Sequence, residues 1–400
     1  MPGFYNPSFQ YRIDQSILKI KETAYANFLK SENCWYPAIT RLIPTRSAKQ
    51  FVTWVLETAY LESLGMSTDL PARELALVET SFVPGNVGGR YEISLNQFTD
   101  LDGAGVNLIE DWVTQVTQQG VIYPQLQLGK YLLGGEAAAT AQQTYDSQVF
   151  FSQSHPYNPV TGVQANCGTF SNIFTGTKGS AWGGGGGTCP TTDPNLTIYP
   201  GALNVLTSTF DASLEYLQHI AAYIGSIRMS NGLMPRYLRP LGILAPTTLC
   251  PRLSQLLAAK SIAYPASSLG AGSMDIAGGL PVEHVGAMIE QKVEGQLQAL
   301  GFKAILQAPE LTIATSSTDK TFPSLAADPT SFYVIAEQIA MSQLGGLVWS
   351  EREPIATTQY WPYDGKNADL GRRNVMECQA RGRSTPAYGH PYYIFKCKAA

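Results

Sequence analysis

The chain has 400 residues, of which 44% are hydrophobic and 14% charged, and a net charge of -4. That length exceeds one minimal core and fits one large or two modest domains. A soluble domain usually carries about a quarter charged residues, so this thin coat is either neutral surface or surface covered by something else, and the slight acidity excludes affinity built on clustered Lys and Arg.

In chain order, Ile13, Ile17, Ile20, Ala24, Phe28 and Leu29 share one face of a helix with Asp14 near its start. Such a helix is marginal alone, so its stripe needs a surface to lie on. Proline-punctuated extended segments follow at Cys34-Trp35-Tyr36-Pro37 and Leu42-Ile43-Pro44. Phe51-Val52-Thr53-Trp54-Val55 and Glu74-Leu75-Ala76-Leu77-Val78 read as two strands around a polar tip from Ser63 to Pro71. A helix from Ser47 to Leu64 is the competing reading. Asn86-Val87-Gly88-Gly89 has turn chemistry, and Tyr91 to Leu95 alternates as a strand.

A long helical segment comes next. Leu108, Ile109, Trp112, Val113 and Val116 form one apolar stripe; Gly120 is expected to interrupt it, and Pro124 to restart a second piece through Leu126, Leu128, Tyr131, Leu132 and Leu133. After Gly134-Gly135 stand Tyr145-Asp146-Ser147-Gln148, Phe150-Phe151 and His155-Pro156. Asn158 to Pro200 is irregular, and its Gly183 to Gly187 run lacks the Gly-Lys-Ser/Thr of a phosphate cradle, so it reads as a surface loop.

Asp211 is expected to cap a helix burying Leu214, Leu217, Ile220, Ala221, Ile224 and Ile227. Leu241 to Ala245 is extended, Pro246-Thr247-Thr248-Leu249-Cys250-Pro251 leads into a helix, and Pro281 to Leu300 has a further helical stripe. The end is strand-rich: Phe332 to Ile335, Gly346 to Trp349, then a final pair from Asn374 to Ala380 and from Tyr392 to Cys397.

No catalytic constellation emerges. The histidines at 155, 219, 284 and 390 are scattered and none sits in H-E-x-x-H, no serine has a G-x-S-x-G elbow, and Glu110-Asp111 splay about their helix. The six cysteines have no zinc spacing and read as reduced thiols, although Cys378 and Cys397 could approach across a terminal hairpin. Neither an export leader nor an eighteen-residue apolar run is found. Catalytic, cofactor and metal residues are therefore none.

The order Tyr145-Asp146-Ser147-Gln148, Phe150-Phe151, His155-Pro156 after a spine helix resembles the major head subunits of tailed bacteriophages, the Mu-like head subunits in particular. Pro246 to Pro251, Ala380-Arg381-Gly382 and Tyr388-Gly389 are similar to later elements of that family, and Glu351-Arg352-Glu353-Pro354 is similar to a charged turn that follows one of its strands, while Ser147 and Cys378-Gln379 depart from it. The resemblance implies an α+β chain of the Hong Kong 97-type capsid fold. It implies an N-terminal arm (1–49), an extended β-loop (50–84), and a peripheral domain (85–200) with a spine helix at about 103–135 and the Gly-rich loop. A mainly axial domain (201–345) and C-terminal strands returning to the core (346–400) complete it.

The implied work is self-assembly of hexamers and pentamers into an icosahedral head. The head encloses double-stranded DNA without sequence-specific binding, and portal, scaffold and cement proteins are candidate partners. No membrane is involved; the chain is expected in the virion capsid, made in the host bacterial cytoplasm. Because no lysine lies between Lys49 and Lys130, the lysine-to-asparagine crosslinks of one branch are not expected. Trp35, Trp54, Leu64, Asp69, Trp112, Arg352 and Arg381 are the candidate assembly residues. The alternatives are an encapsulin-like nanocompartment shell and a surface or polysaccharide-acting enzyme.

Overall fold

The computed structural model describes residues 34–47, 50–55, 77–94, 105–134, 150–153, 155–156, 169–176, 199–227, 239–258, 297, 300–311, 329–336, 347–360, 368–388 and 391–399. Outside these lie the expected N-terminal helix, the tip from Ser63 to Pro71, Tyr145 to Gln148, the Gly183 to Gly187 run and nearly all of the helix from Pro281. The elements are α1 (Tyr36–Ile39), β1 (Thr40–Pro44), β2 (Gln50–Val55), β3 (Leu77–Phe82), β4 (Gly85–Ser94), α2 (Gly105–Gly134), β5 (His155–Pro156), β6 (Thr169–Phe170) and β7 (Ile173–Phe174). They continue with α3 (Phe210–Ser226), β8 (Pro240–Ala245), α4 (Cys250–Ala258), β9 (Ala304–Gln307), β10 (Phe332–Ala336), β11 (Leu347–Tyr360), α5 (Ala368–Arg373), β12 (Val375–Tyr388) and β13 (Ile394–Cys397). The class is α+β, as expected.

The chain forms two compact units: Met1–Val52, Glu79–Leu132 and Leu347–Tyr388 make the first; Thr53–Val78, Leu133–Gly346 and Gly389–Ala400 make the second. In the first unit a four-stranded sheet runs β1-β11-β12-β4, with β1 parallel to β11 and the other pairs antiparallel. Alternation along β12 turns Cys378 and Ala380 toward α2, where they meet Val116, Trp112, Tyr91 and Ile355.

Helix α2 is continuous, which corrects the expected break. Proline removes one helical hydrogen bond and crowds the carbonyl four residues back, here that of Gly120. Burial carries the helix through: Pro124, Leu126, Leu128 and Leu132 are all buried, and the Trp35 amide donates to Gln125 Oε1 at 3.1 Å. Gly120 marks contact instead, because a Cβ there would stand 3.0 Å from Ile355 Cγ2. Ile355 also presses on Gly382, where a Cβ would lie 2.8 Å from Ile355 Cγ1 and 3.0 Å from the Glu353 carbonyl oxygen.

Three further expectations change in this unit. Asn86 to Gly89 is strand, with Gly88 admitting the Ala380 carbonyl, 2.6 Å from where a Cβ would be. Glu351 to Pro354 lies inside the fourteen-residue β11, at a place where the register against β12 shifts twice, so proline is accommodated in irregular strand. The final two strands are not partners: β12 pairs with β11 and β4, whereas β13 belongs to another sheet. Cys378 and Cys397 therefore belong to different sheets and are both buried, and burial pushes the Cys397 thiol up.

That second sheet runs β7-β13-β10-β8-β9 in the second unit. Strand β10 is antiparallel to β13 and β8, while β7 and β9 flank in parallel. Helix α3 buries Leu217, Ile220, Tyr223 and Ile224, and Ile227 just past its end, in the core that also holds Phe174, Ile243, Val334 and Phe395. The cap of α3 is Thr209, whose Oγ1 accepts from the Ala212 amide at 3.3 Å. Asp211 stands one residue inside, where its carboxylate suits the positive end of the helix. Separately, β2 and β3 pair as a two-stranded sheet, and residues 50–55 are strand where a helix had competed.

Candidate assembly surfaces

The first unit presents a polar sheet face opposite α2. With Cys378 and Ala380 turned to the helix, alternation places Glu377, Gln379 and Arg381 on the other side. Across the ladder Glu377 meets Arg90, whose Nε donates to Glu377 Oε2 at 2.8 Å, and Arg90 also pairs with Glu92. Arg373 Nη1 lies 2.6 Å from Glu92 Oε2. The hydrogen bond from Arg373, aided by both guanidinium charges, holds the Glu92 carboxyl below the usual carboxylate range. Further along, Arg383 Nε stands 3.7 Å from Glu353 Oε1.

Between these pairs stands Arg381, exposed, with Gly88 opposite on β4 and Ala356 opposite on β11. The triplet Ala380-Arg381-Gly382 thus has a physical reading: a small residue under the helix, a cation outward, and no Cβ beneath Ile355. The edges of this sheet are β1, where Leu42 is 58% exposed, and β4, whose ten residues alternate between exposed and half-buried.

In the second unit, Phe150-Phe151 and His155-Pro156 form a buried polar and aromatic node. The rings of Phe150 and Phe151 meet edge-on at 4.9 Å between centroids. The Phe150 carbonyl accepts from Asn172 Nδ2 and lies 2.9 Å from His155 Nε2, and the His155 ring stacks on Phe170 at 5.2 Å. Asn172 Oδ1 accepts from the Ser152 amide at 2.9 Å, and the Asn172 carbonyl from the Lys396 amide at 2.8 Å. These residues pin a loop to the sheet, which is a structural role.

Of the seven candidate assembly residues, Trp35 is 1% exposed and packed within its own chain, and Trp112 is half-buried in the helix-to-sheet contact. Arg352 is half-buried in β11, Trp54 lies in β2, and Leu64 and Asp69 fall outside the described residues. Among those whose burial is described, Arg381 alone is exposed. The cluster of Arg90, Glu92, Arg373 and Glu377 was not anticipated, since β4 and β12 are joined only through pairing of distant residues. Period-two charge along Arg90-Tyr91-Glu92 was the available signal. Asn172 had none, lying in a stretch that reads as irregular.

Chemistry is not concentrated anywhere described. His219 pairs with Glu215 one turn away at 3.2 Å, and His155 is buried in the node. Among the described residues no three metal-ligating side chains gather, and no helix is long and apolar enough to cross a membrane.

No family model matches the sequence. No curated protein matches it at a significant level. Among solved structures, the chain is similar to the mature capsid of bacteriophage PhiM1 at 12% identity and a TM-score of 0.43, covering 90% of this chain and 85% of that one. The procapsid of bacteriophage JBD30 is similar at 11% identity and a TM-score of 0.42, covering 99% and 76%. The virus-like particle from Pyrococcus furiosus is similar at 8% identity and a TM-score of 0.41, covering 96% and 98%. Likenesses of this size do not by themselves establish a family.

Proposed function

We propose that the chain is the major capsid subunit of a tailed bacteriophage or prophage, of the Mu-like branch, and that its copies close into an icosahedral head around double-stranded DNA. The observation that carries the proposal is a ten-residue edge strand, β4, together with a separate two-stranded β2–β3 sheet, in a chain only 14% charged. A long sheet edge is a liability on a monomer, and a two-stranded piece is marginal alone. Both are covered when identical copies lie against one another.

The residues that carry the family resemblance support the same reading, because Phe150, Phe151, His155 and Ala380 are buried and Gly382 lies against Ile355. On this proposal 1–49 is the arm, 50–84 the extended β-loop, 85–200 peripheral, 201–345 mainly axial, and 346–400 the returning strands. Hexamers and pentamers are the assembly units, with portal, scaffold and cement proteins as partners, and catalysis is no part of the role. The net charge of -4 suits a wall that encloses DNA without gripping it.

Negative-stain microscopy of the expressed chain tests the shell, and the contents of particles from the native source test the cargo. Closed particles protecting double-stranded DNA from nuclease are expected. Particles filled with a protein would instead mark a nanocompartment, and a small soluble oligomer would refute assembly altogether.

A further inference from the structure

We infer that the face of the four-stranded sheet opposite α2 receives a carboxylate from a second copy of this chain, with Arg381 as the receiving cation. The inference rests on the self-assembly proposed above and adds to it a surface and a partner group. Arg90, Glu92, Arg373 and Glu377 neutralise one another within the face, and Glu353 stands beside Arg383. Arg381 has no acidic neighbour in its row, since its cross-strand partners are Gly88 and Ala356. Glycine and alanine offer Arg381 no polar side chain across the ladder, so the exposed guanidinium is open to a fork-shaped bond with a carboxylate.

The charge balance identifies the source. The first unit carries 15 Lys and Arg against 14 Asp and Glu, a balance of +1, whereas the second carries 12 against 17, a balance of -5. Copies that bring the acidic unit of one to the Arg381 face of another gain complementarity that fixes register. A phosphate chain is the poorer occupant, because its binding needs clustered cations, and here carboxylates of Glu92, Glu353 and Glu377 share the face.

The test uses full-length chains, half of them isotopically heavy, carrying Arg381→Lys, which keeps the charge and supplies an amine. Zero-length carbodiimide coupling of assembled particles is expected to join the substituted lysine to an Asp or Glu in mixed light-heavy peptide pairs. Arg381→Glu is expected to lower particle yield about tenfold or more, in line with the cost of like charges at an interface, with an unchanged unfolding midpoint. Particles that form normally yet give no mixed pair, or that lose only nuclease protection of DNA on Arg381→Glu, overturn the assigned face and leave the capsid proposal standing. Wild-type chains that form no particles overturn both.

Discussion

The five-stranded sheet of the second unit buries all five residues of β10 and all four of β13, whereas β4 in the first unit alternates exposed and half-buried along its length. The first pattern is that of strands covered on both faces, and it reads in sequence as continuous apolar runs such as Phe332 to Ala336. The second is that of a one-sided sheet with helix α2 below and charge above. The stability of the second unit is therefore concentrated in aromatic packing, and the first unit keeps a polar face, the surface on which the proposed assembly draws.

The comparison can be broken most sharply at Phe174, fully buried and in ring contact with Tyr199, Tyr223 and Phe395. Phe174→Ala should cost about 3–5 kcal/mol by denaturant unfolding. A loss below 1 kcal/mol would show that the aromatic cluster is not what holds this unit. In the first unit, Trp112→Asp puts a carboxylate against Val116, Cys378 and Ala380 and should cost about 3 kcal/mol, with Trp112→Phe far milder. Equal effects of the two would mean that the helix-to-sheet contact is not apolar.

Asn172→Ala strands the Ser152 amide and should cost about 1–3 kcal/mol. Amide exchange at Ser152 is the direct readout, and unchanged protection there would remove Asn172 from the node. At Gly120 the expected sign depends on background. Gly120→Ala should gain about 1 kcal/mol of helix preference once Ile355→Ala has removed the methyl 3.0 Å away, and gain less in the wild type. Strict additivity in that double-mutant cycle would contradict the close approach.

The smallest effect is a pH dependence at Glu351, whose carboxyl burial pushes up from the usual range. Because the folded chain holds that proton more tightly than the unfolded chain, Glu351 lowers stability above its folded pKa and ceases to do so as pH falls to the ordinary carboxylate value. Glu351→Gln should thus raise the unfolding midpoint at neutral pH and lose that advantage in acid. A gain that persists unchanged in acid would assign the effect to something other than ionisation.

Both kinds of sheet were partly legible. Val116, Leu126, Leu128 and Leu132 of α2 follow from helical apolar spacing, and strands β8 and β10 from continuous apolar runs buried on both faces. The errors cluster at glycine and proline. Gly120 and Gly88 read as breaks in sequence but are close approaches to Ile355 and to the Ala380 carbonyl, and those partners are distant in the chain. Pro354 belongs to a stretch that resembles a charged turn, yet it lies within a fourteen-residue strand. Which strand pairs with which was not legible: Tyr392 to Cys397 looks like the mate of Asn374 to Ala380, and only tertiary packing sends it to β10 and β7. Arg381 stands out in the sequence as a residue and is exposed in the structure, but the small residues opposite it, Gly88 and Ala356, come from two other strands.

Sedimentation velocity of the purified full-length chain across a range of concentrations tests the central claim most directly. Fast-sedimenting closed particles of uniform size, built from many copies, are the predicted result. A single slow species with the mass of one folded chain at every concentration would contradict it.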